Sequence, residues 1–217
     1  MYDVVAFGEG MIRFSPGGFK RLEQTETLDL HVAGAELNVA VGCSRLGLRT
    51  AWVSKLPDHP LGRMVRNKAR EQGVNVDHIS WSDGRVGLYF VEFGATPRNS
   101  NVLYDRRDSA FSSIQPGELN WEDILGQAKC LHVTGITPAL GASAAEVNLE
   151  AIKTAKKLGC RVSLDLNYRS KLWTPNEAKK TMTSLMPYVD ILIATAGDSQ
   201  IMLGVAAAND EELALKL

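Results

Sequence analysis

Val32-Ala33-Gly34-Ala35-Glu36-Leu37-Asn38-Val39-Ala40 runs from small residues straight into a helical pattern. Leu37, Ala40, Val41 and Ser44 recur near the helical period and Gly47 follows as a stop, so a helix is predicted over 36–46. Working outward, Thr50 to Ser54 has strand character, and Pro60 to Gln72 is a second helical pattern that ends before Gly73. The same rhythm returns downstream. Cys130 to Thr134, Arg161 to Leu166 and Asp190 to Ala194 read as strands, and Ser143 to Leu158 as a helix ending before Gly159. Val4 to Phe7 is the first strand, and the residues from Glu211 onward read as a helix in progress. Alternation of strand and helix predicts an α/β fold with a mostly parallel sheet covered by helices.

Two stretches break the rhythm. Ile12 to Val32 contains the turn signal Ser15-Pro16-Gly17-Gly18 between short strand-like segments. Gly87 to Phe93 and Asn101 to Asp105 form a second strand-like pair around the turn-rich Gly94 to Asn99. Together they predict a small β lid, near residues 12–32 and 86–108, on one domain spanning 1–217. Its edges and apolar face would need cover, so a homodimer through the lid is expected.

The totals exclude several function classes. With 45% hydrophobic and 23% charged residues, the composition is that of an ordinary globular protein. Twenty-four basic residues against 25 acidic ones leave no general field for nucleic acid or an anionic membrane. No apolar run approaches the roughly 18 residues of a membrane span, and the start lacks a signal-peptide pattern, so a cytoplasmic protein is expected. Cys43, Cys130 and Cys160 are scattered in apolar contexts and read as reduced core thiols.

Common catalytic motifs are absent. Gly8-Glu9-Gly10 begins a dinucleotide fingerprint, but Arg13 stands where the third glycine belongs. There is no GxxxxGK[ST] loop and no GxSxG elbow, and His31, His59, His78 and His132 lack metal-ligand spacing. His132, within Leu131-His132-Val133, reads as a core histidine.

Three segments carry the candidate chemistry. Gly34 has no Cβ, and the helix start beside it offers unpaired N–H groups to ligand oxygens. Ser163-Leu164-Asp165-Leu166-Asn167-Tyr168-Arg169 places polar groups at the C-terminal end of an apolar strand, where open α/β sheets bind ligands. If that chain stays extended, Asp165, Asn167 and Arg169 share one side. In the lid, Tyr89 and Tyr104 offer an aromatic face with hydroxyls for a sugar, and Arg106 offers a guanidinium fork for a carboxylate.

Read in order, these segments resemble the PfkB, or ribokinase-like, family of carbohydrate kinases over nearly the whole chain. Gly8-Glu9, Ala33 to Ala40, Arg45-Leu46-Gly47, Asp58 and Gly62 are similar to its amino-terminal signature. Pro57 and Glu36 depart from the general pattern. Thr134-Gly135-Ile136-Thr137-Pro138-Ala139-Leu140, and Asp165 to Arg169 followed by Leu172-Trp173, look most like the 2-keto-3-deoxygluconate kinases. The resemblance implies a ribokinase-like three-layer sandwich with a mostly parallel central sheet and a small β lid, C-terminally incomplete within these residues. It also implies that Gly34, Asn38, Tyr89, Tyr104, Arg106, Ile136 and Arg169 line a sugar-acid pocket, and that ATP and Mg2+ serve intact relatives.

The family's later D-T-x-G-A-G-D segment, whose last aspartate is the catalytic base, does not occur in the 217 residues. Its N-x-x-E segment is matched by Thr195-Ala196-Gly197-Asp198, which places Thr195 and Asp198 on the cofactor side. These residues alone are therefore expected to bind a small sugar acid and not to catalyse its phosphorylation. Two other readings of the same residues are a non-catalytic sugar-acid binding or regulatory protein and a fructokinase-like kinase of neutral sugars.

Overall fold

Short apolar strands separated by capped helices can bury both of their faces only inside a helix-covered sheet. The computed structural model describes residues 1–217 and has this arrangement. In chain order its elements are β1 (Val4–Phe7), β2 (Met11–Ser15), β3 (Asp29–Ala33), α1 (Ala35–Arg45), β4 (Thr50–Pro57), α2 (Pro60–Glu71), β5 (Ile79–Ser82), β6 (Gly87–Glu92), β7 (Asn101–Asp105), α3 (Trp121–Leu125), β8 (Cys130–Thr134), α4 (Ile136–Ala139), α5 (Ala142–Lys157), β9 (Arg161–Asp165), α6 (Pro175–Leu185), β10 (Ile191–Ile193), α7 (Ala196–Met202) and α8 (Asp210–Lys216).

Six strands form the main sheet in the order β10-β9-β8-β1-β4-β5. Every pairing in it is parallel. The central strand β1 is buried on both faces. Val5 and Phe7 join one apolar cluster with Trp121, Val147, Ile152 and Met182, from α3, α5 and α6. Ala6 joins another with Leu37, Ala40, Val65 and Ala69, from α1 and α2. The result is three layers.

Local chemistry explains the helix boundaries. Gly47 and Gly73 adopt φ of 91° and 83° just past α1 and α2, a left-handed turn that other residues enter at a cost. Thr174 caps α6 in a reciprocal box with Glu177, and Pro175 fits the first helical turn.

The four-stranded second sheet has the order β3-β2-β6-β7. Each predicted segment contributes an antiparallel pair, and β2 joins β6 in parallel at the centre. The register puts Ile12, Phe14, Leu30, Val32, Leu88, Phe90 and Leu103 on one face, and His31, Arg13, Tyr89 and Tyr104 on the other. Ile12 is fully buried against the α1–α2 cluster, whereas Leu30 and Leu103 remain 40% and 56% exposed.

Several local expectations are corrected. The extended run of β9 ends at Asp165, and Asn167 turns with φ 45°, so alternation does not align Asp165, Asn167 and Arg169. An asparagine tolerates this left-handed turn because its short amide bonds locally, here from Nδ2 to Asp165 Oδ2 at 3.3 Å. The last strand is shorter than predicted, at three residues. Of the cysteines, Cys160 is buried while Cys43 and Cys130 are only half-buried, and all three are free thiols. His132 is buried as expected, bonded through Nδ1 to Ser163 Oγ at 3.1 Å, and burial pushes its pKa down to about 4. No helix is long and apolar enough to cross a membrane.

Candidate functional site

The turn after β1 is packed so tightly that its glycines are required by their neighbours. A Cβ on Gly34 would lie 2.4 Å from the Glu9 carbonyl oxygen, and one on Gly8 would lie 2.2 Å from the Glu36 carboxyl carbon. Neither separation is physically tolerable, so α1 starts directly against the C-terminal end of β1. Glu36 is about 1% exposed, and its Oε1 accepts from Thr134 Oγ1 at 2.7 Å and Thr137 Oγ1 at 3.1 Å. Burial pushes this carboxyl's pKa up, and the two threonine hydroxyls oppose the shift. The same Thr134 oxygen accepts from the Ile136 N–H at 3.1 Å. The residue that departs from the general signature thus bolts α1 to the turn between β8 and α4.

Glu9 forms the second buried junction. Its Oε2 accepts from Arg106 Nε at 3.0 Å and from Nη2, while its Oε1 accepts from Ser109 Oγ at 2.6 Å. The Arg106 and Glu9 side chains are 8% and 2% exposed. A Cβ on Gly87 would lie 2.8 Å from Glu9 Oε1, so β6 needs glycine there as well. The segment after β7 is thereby pinned to the end of β1, and Arg106 is held with two of its donors committed to Glu9.

Beyond this junction a cavity of about 690 Å³ opens between β7 and the loop after β9. Tyr104, Arg106, Arg107, Tyr168, Arg169 and Lys171 are among its walls, which hold four cations and no carboxylate. Tyr89 stacks on Tyr104 with ring centres 5.8 Å apart. Arg106 and Lys171 lie over the Tyr104 ring, at 5.9 Å and 5.6 Å from its centre. Lys171 Nζ also donates to the Val102 carbonyl at 2.7 Å, tying the loop to β7. Arg169 donates through Nη1 to the Tyr168 carbonyl at 2.9 Å and is in no ion pair.

The predicted residues therefore divide. Tyr104, Arg106 and Arg169 share the cationic cavity, with Tyr89 stacked behind. Gly34 caps α1 and Ile136 opens α4 at the same end of the sheet. Asn38 is separate, in the wall of a cavity of about 360 Å³ with His31, Val41 and Lys68. Thr195 Oγ1 caps α7 by accepting from the Asp198 N–H at 3.1 Å. Asp165 is half-buried nearby, and its pKa is raised by burial first and by the charge of Asp198 to a lesser degree.

The largest cavity, about 980 Å³, is a mostly apolar groove beside β10. Thr195 lines it and Asp198 does not. Its charged walls are Asp190, Asp210 and Lys216, a poor match to a polyanion, so size does not identify the polar site.

Sequence reasoning missed Arg107, Lys171, Ser109 and the pairing role of Glu9. Glu9 had a usable signal, since it follows a buried strand directly at the sheet edge that binds ligands. Lys171 could have been added from the polar run that begins at Asn167.

Comparison with known proteins agrees with this arrangement. The profile for pfkB family carbohydrate kinases matches residues 1–217. The chain is 46% identical over 202 residues to the 2-dehydro-3-deoxygalactonokinase of Haloferax volcanii, covering 93% of this chain and 63% of that protein. It is 33% identical over 215 residues to the 5-dehydro-2-deoxygluconokinase of Bacillus licheniformis, covering 97% and 65%. The crystal structure of 2-dehydro-3-deoxygluconokinase from Thermotoga maritima superposes with a TM-score of 0.96 at 42% identity, covering 100% of this chain and 68% of that one. The chain thus spans just under two thirds of the length of these two curated relatives.

Proposed function

Because this chain belongs to the pfkB family of carbohydrate kinases, we propose that it forms the substrate-recognising part of a kinase that phosphorylates 2-keto-3-deoxygluconate or a similar keto-deoxy sugar acid with ATP. The observation that carries the reading is the cavity walled by Arg106, Arg107, Arg169 and Lys171 with no carboxylate among them. Arg106 is answered by Glu9, but Arg107, Arg169 and Lys171 belong to no ion pair; cations gathered without counter-ions repel one another, and an anionic ligand relieves that repulsion. The stacked pair Tyr89 and Tyr104 supplies an apolar face with hydroxyls, which suits a sugar ring or chain. A neutral hexose would use the tyrosines and leave the cations unanswered. The substrates named for the relatives differ in detail, so the class proposed is the keto-deoxy sugar acid.

Gly34, Tyr89, Tyr104, Arg106, Ile136 and Arg169 are proposed as the substrate side, and Asn38, in the wall of the other cavity, is proposed there only on its match to the family segment. Arg169 acts as a free guanidinium fork, and Arg106 as a fork already oriented by Glu9. Their work is to bind and orient the acid so that a sugar hydroxyl faces the donor, which removes much of the entropic part of the barrier. In the transfer itself the hydroxyl oxygen bonds to the γ-phosphorus, the bond to the bridging oxygen of ADP breaks, and the hydroxyl proton passes to a base. No D-T-x-G-A-G-D segment lies within these 217 residues, so none of them is proposed as that base.

Kinases of this family bind ATP. Thr195 and Asp198 are proposed for the nucleotide side on their match to the family segment. They do not fit a magnesium ion on their own. No three His, Cys, Asp or Glu side chains converge, and the Thr195 hydroxyl already accepts one capping bond from the Asp198 N–H.

A homodimer through the second sheet belongs to the same reading, since Phe14, Leu30, Phe90 and Leu103 make an apolar face with Leu30 and Leu103 largely open. Sedimentation of the chain and of Leu103→Lys tests it, a dimer reduced to a monomer being expected. The cytoplasm, where ATP is available, is the implied compartment.

Calorimetric titration with 2-keto-3-deoxygluconate, its galactonate epimer and fructose tests the main proposal. The acids are expected to bind, more weakly as salt is raised, because screening acts on the exposed cations. Fructose binding more tightly than both acids would overturn it.

A further inference from the structure

Arg13 stands on β2, one of the two central strands of the second sheet, where the register places it beside His31 on one side and Tyr89 on the other. Tyr89 in turn faces Tyr104. His31, Arg13, Tyr89 and Tyr104 therefore form one row across all four strands on the same face. That row ends at Tyr104, in the wall of the cationic cavity.

The Arg13 guanidinium is unusually short of partners. It belongs to none of the protein's ion pairs, and its Nε is buried with no acceptor. What surrounds it is aromatic. The Phe93 ring centre is 6.0 Å away, and the Tyr89 phenol lies beside the guanidinia of both Arg13 and Arg106. Arginine has five N–H donors and no acceptor, so a half-buried one without a carboxylate leaves donors unsatisfied. Arg106 spends two of its donors on Glu9, whereas Arg13 spends none on any acid.

We propose that Arg13 is a further substrate-binding residue, which receives the carboxylate of the sugar acid on the second sheet beside Tyr89 and so selects acids over neutral sugars. This rests on the sugar-acid reading above. A carboxylate there would accept from the Arg13 guanidinium and the Tyr89 hydroxyl together with a remaining donor of Arg106, at the Tyr104 end of the row, where it also answers the cations of the cavity lined by Arg169 and Lys171.

Titrating 2-keto-3-deoxygluconate into the parent chain, Arg13→Gln and Arg13→Lys tests it, alongside the neutral 3-deoxyhexulose that has CH2OH in place of the carboxylate. Arg13→Gln should weaken acid binding about tenfold, the scale of one charge-assisted hydrogen bond, and leave the neutral sugar unaffected. Arg13→Lys should fall between, since it keeps the charge and loses the fork. The unfolding temperature of Arg13→Gln should drop little, because no ion pair is lost and only the contacts with the Phe93 ring and the Tyr89 phenol go. Unchanged acid binding in Arg13→Gln, equal loss for acid and neutral sugar, or a loss that tracks a lower unfolding temperature would each overturn the assignment. A parent chain that binds no sugar acid would instead defeat the sugar-acid reading and this one with it, whereas acid binding indifferent to Arg13 defeats only the second.

Discussion

Two charged regions adjoin at the end of β1 and are built on opposite terms. At the junction of Glu9, Arg106 and Ser109 the charges are withdrawn from water and each has its partner. In the cavity that Arg106 borders, Arg169 and Lys171 face no acid, and Arg13 has none either. The first arrangement is what a scaffold needs, because a buried ion left alone is costly. The second is what a binding site needs, because only an unanswered charge gains from a ligand.

The sharpest way to break this contrast is to remove Glu9. Glu9→Ala leaves the Arg106 guanidinium buried and unpaired, and it should cost about 3–5 kcal/mol of stability in urea unfolding. If stability is unchanged, the junction is not structural and the two regions are not different in kind. Arg169→Ala should do the reverse. Its unfolding midpoint should match that of the parent, while affinity for the sugar acid drops by about 1.5–3 kcal/mol, read by calorimetry.

Between these lies Gly34→Ala, whose added methyl meets the Glu9 carbonyl and must push α1 away from β1. Overpacking of that kind costs about 1–3 kcal/mol, and the unfolding curve should show it together with weaker ligand binding. An alanine accommodated without loss would mean that α1 is less closely seated than the Glu9 contact requires.

The smallest effect concerns Glu36. Its pKa is raised in the folded chain, so its stabilising contribution is complete below the unfolded carboxylate pKa and is lost as pH rises through the higher folded value. Glu36→Gln keeps an acceptor for Thr134 and Thr137 and removes the titration. Melting curves should therefore shift in the variant's favour as pH is taken from 4 to 7. A difference that is flat with pH would show that Glu36 is not raised.

Much of the architecture was legible in local pattern. The helices after Gly34, at Pro60 and at Ser143 begin and end within a residue or so of where periodicity and glycine stops put them. β8 matches its predicted limits, and both irregular stretches became the second sheet. Most of what was missed is short or marginal. Ile79–Ser82 is a four-residue edge strand, and α3 and α4 are too brief for a period to show. The helix over Pro175–Leu185 did have a signal, the capping box of Thr174 and Glu177, which was overlooked. Asn167 escaped because nothing in an apolar strand announces that its next residues will turn left-handed.

Alternation, helix stops and the placing of polar groups at strand ends follow from contacts between near neighbours in the chain, and these the residue order determines alone. Which of the cations would be free was a different kind of question. Arg13 on the second sheet and Arg106 just past its last strand carry the same group, yet Arg106 meets a carboxylate 97 positions away and Arg13 meets none. Glu36 likewise finds its hydroxyls 98 and 101 positions on. Only the tertiary structure settles such pairings, because a charge is answered by whatever the fold brings within about 3 Å of it.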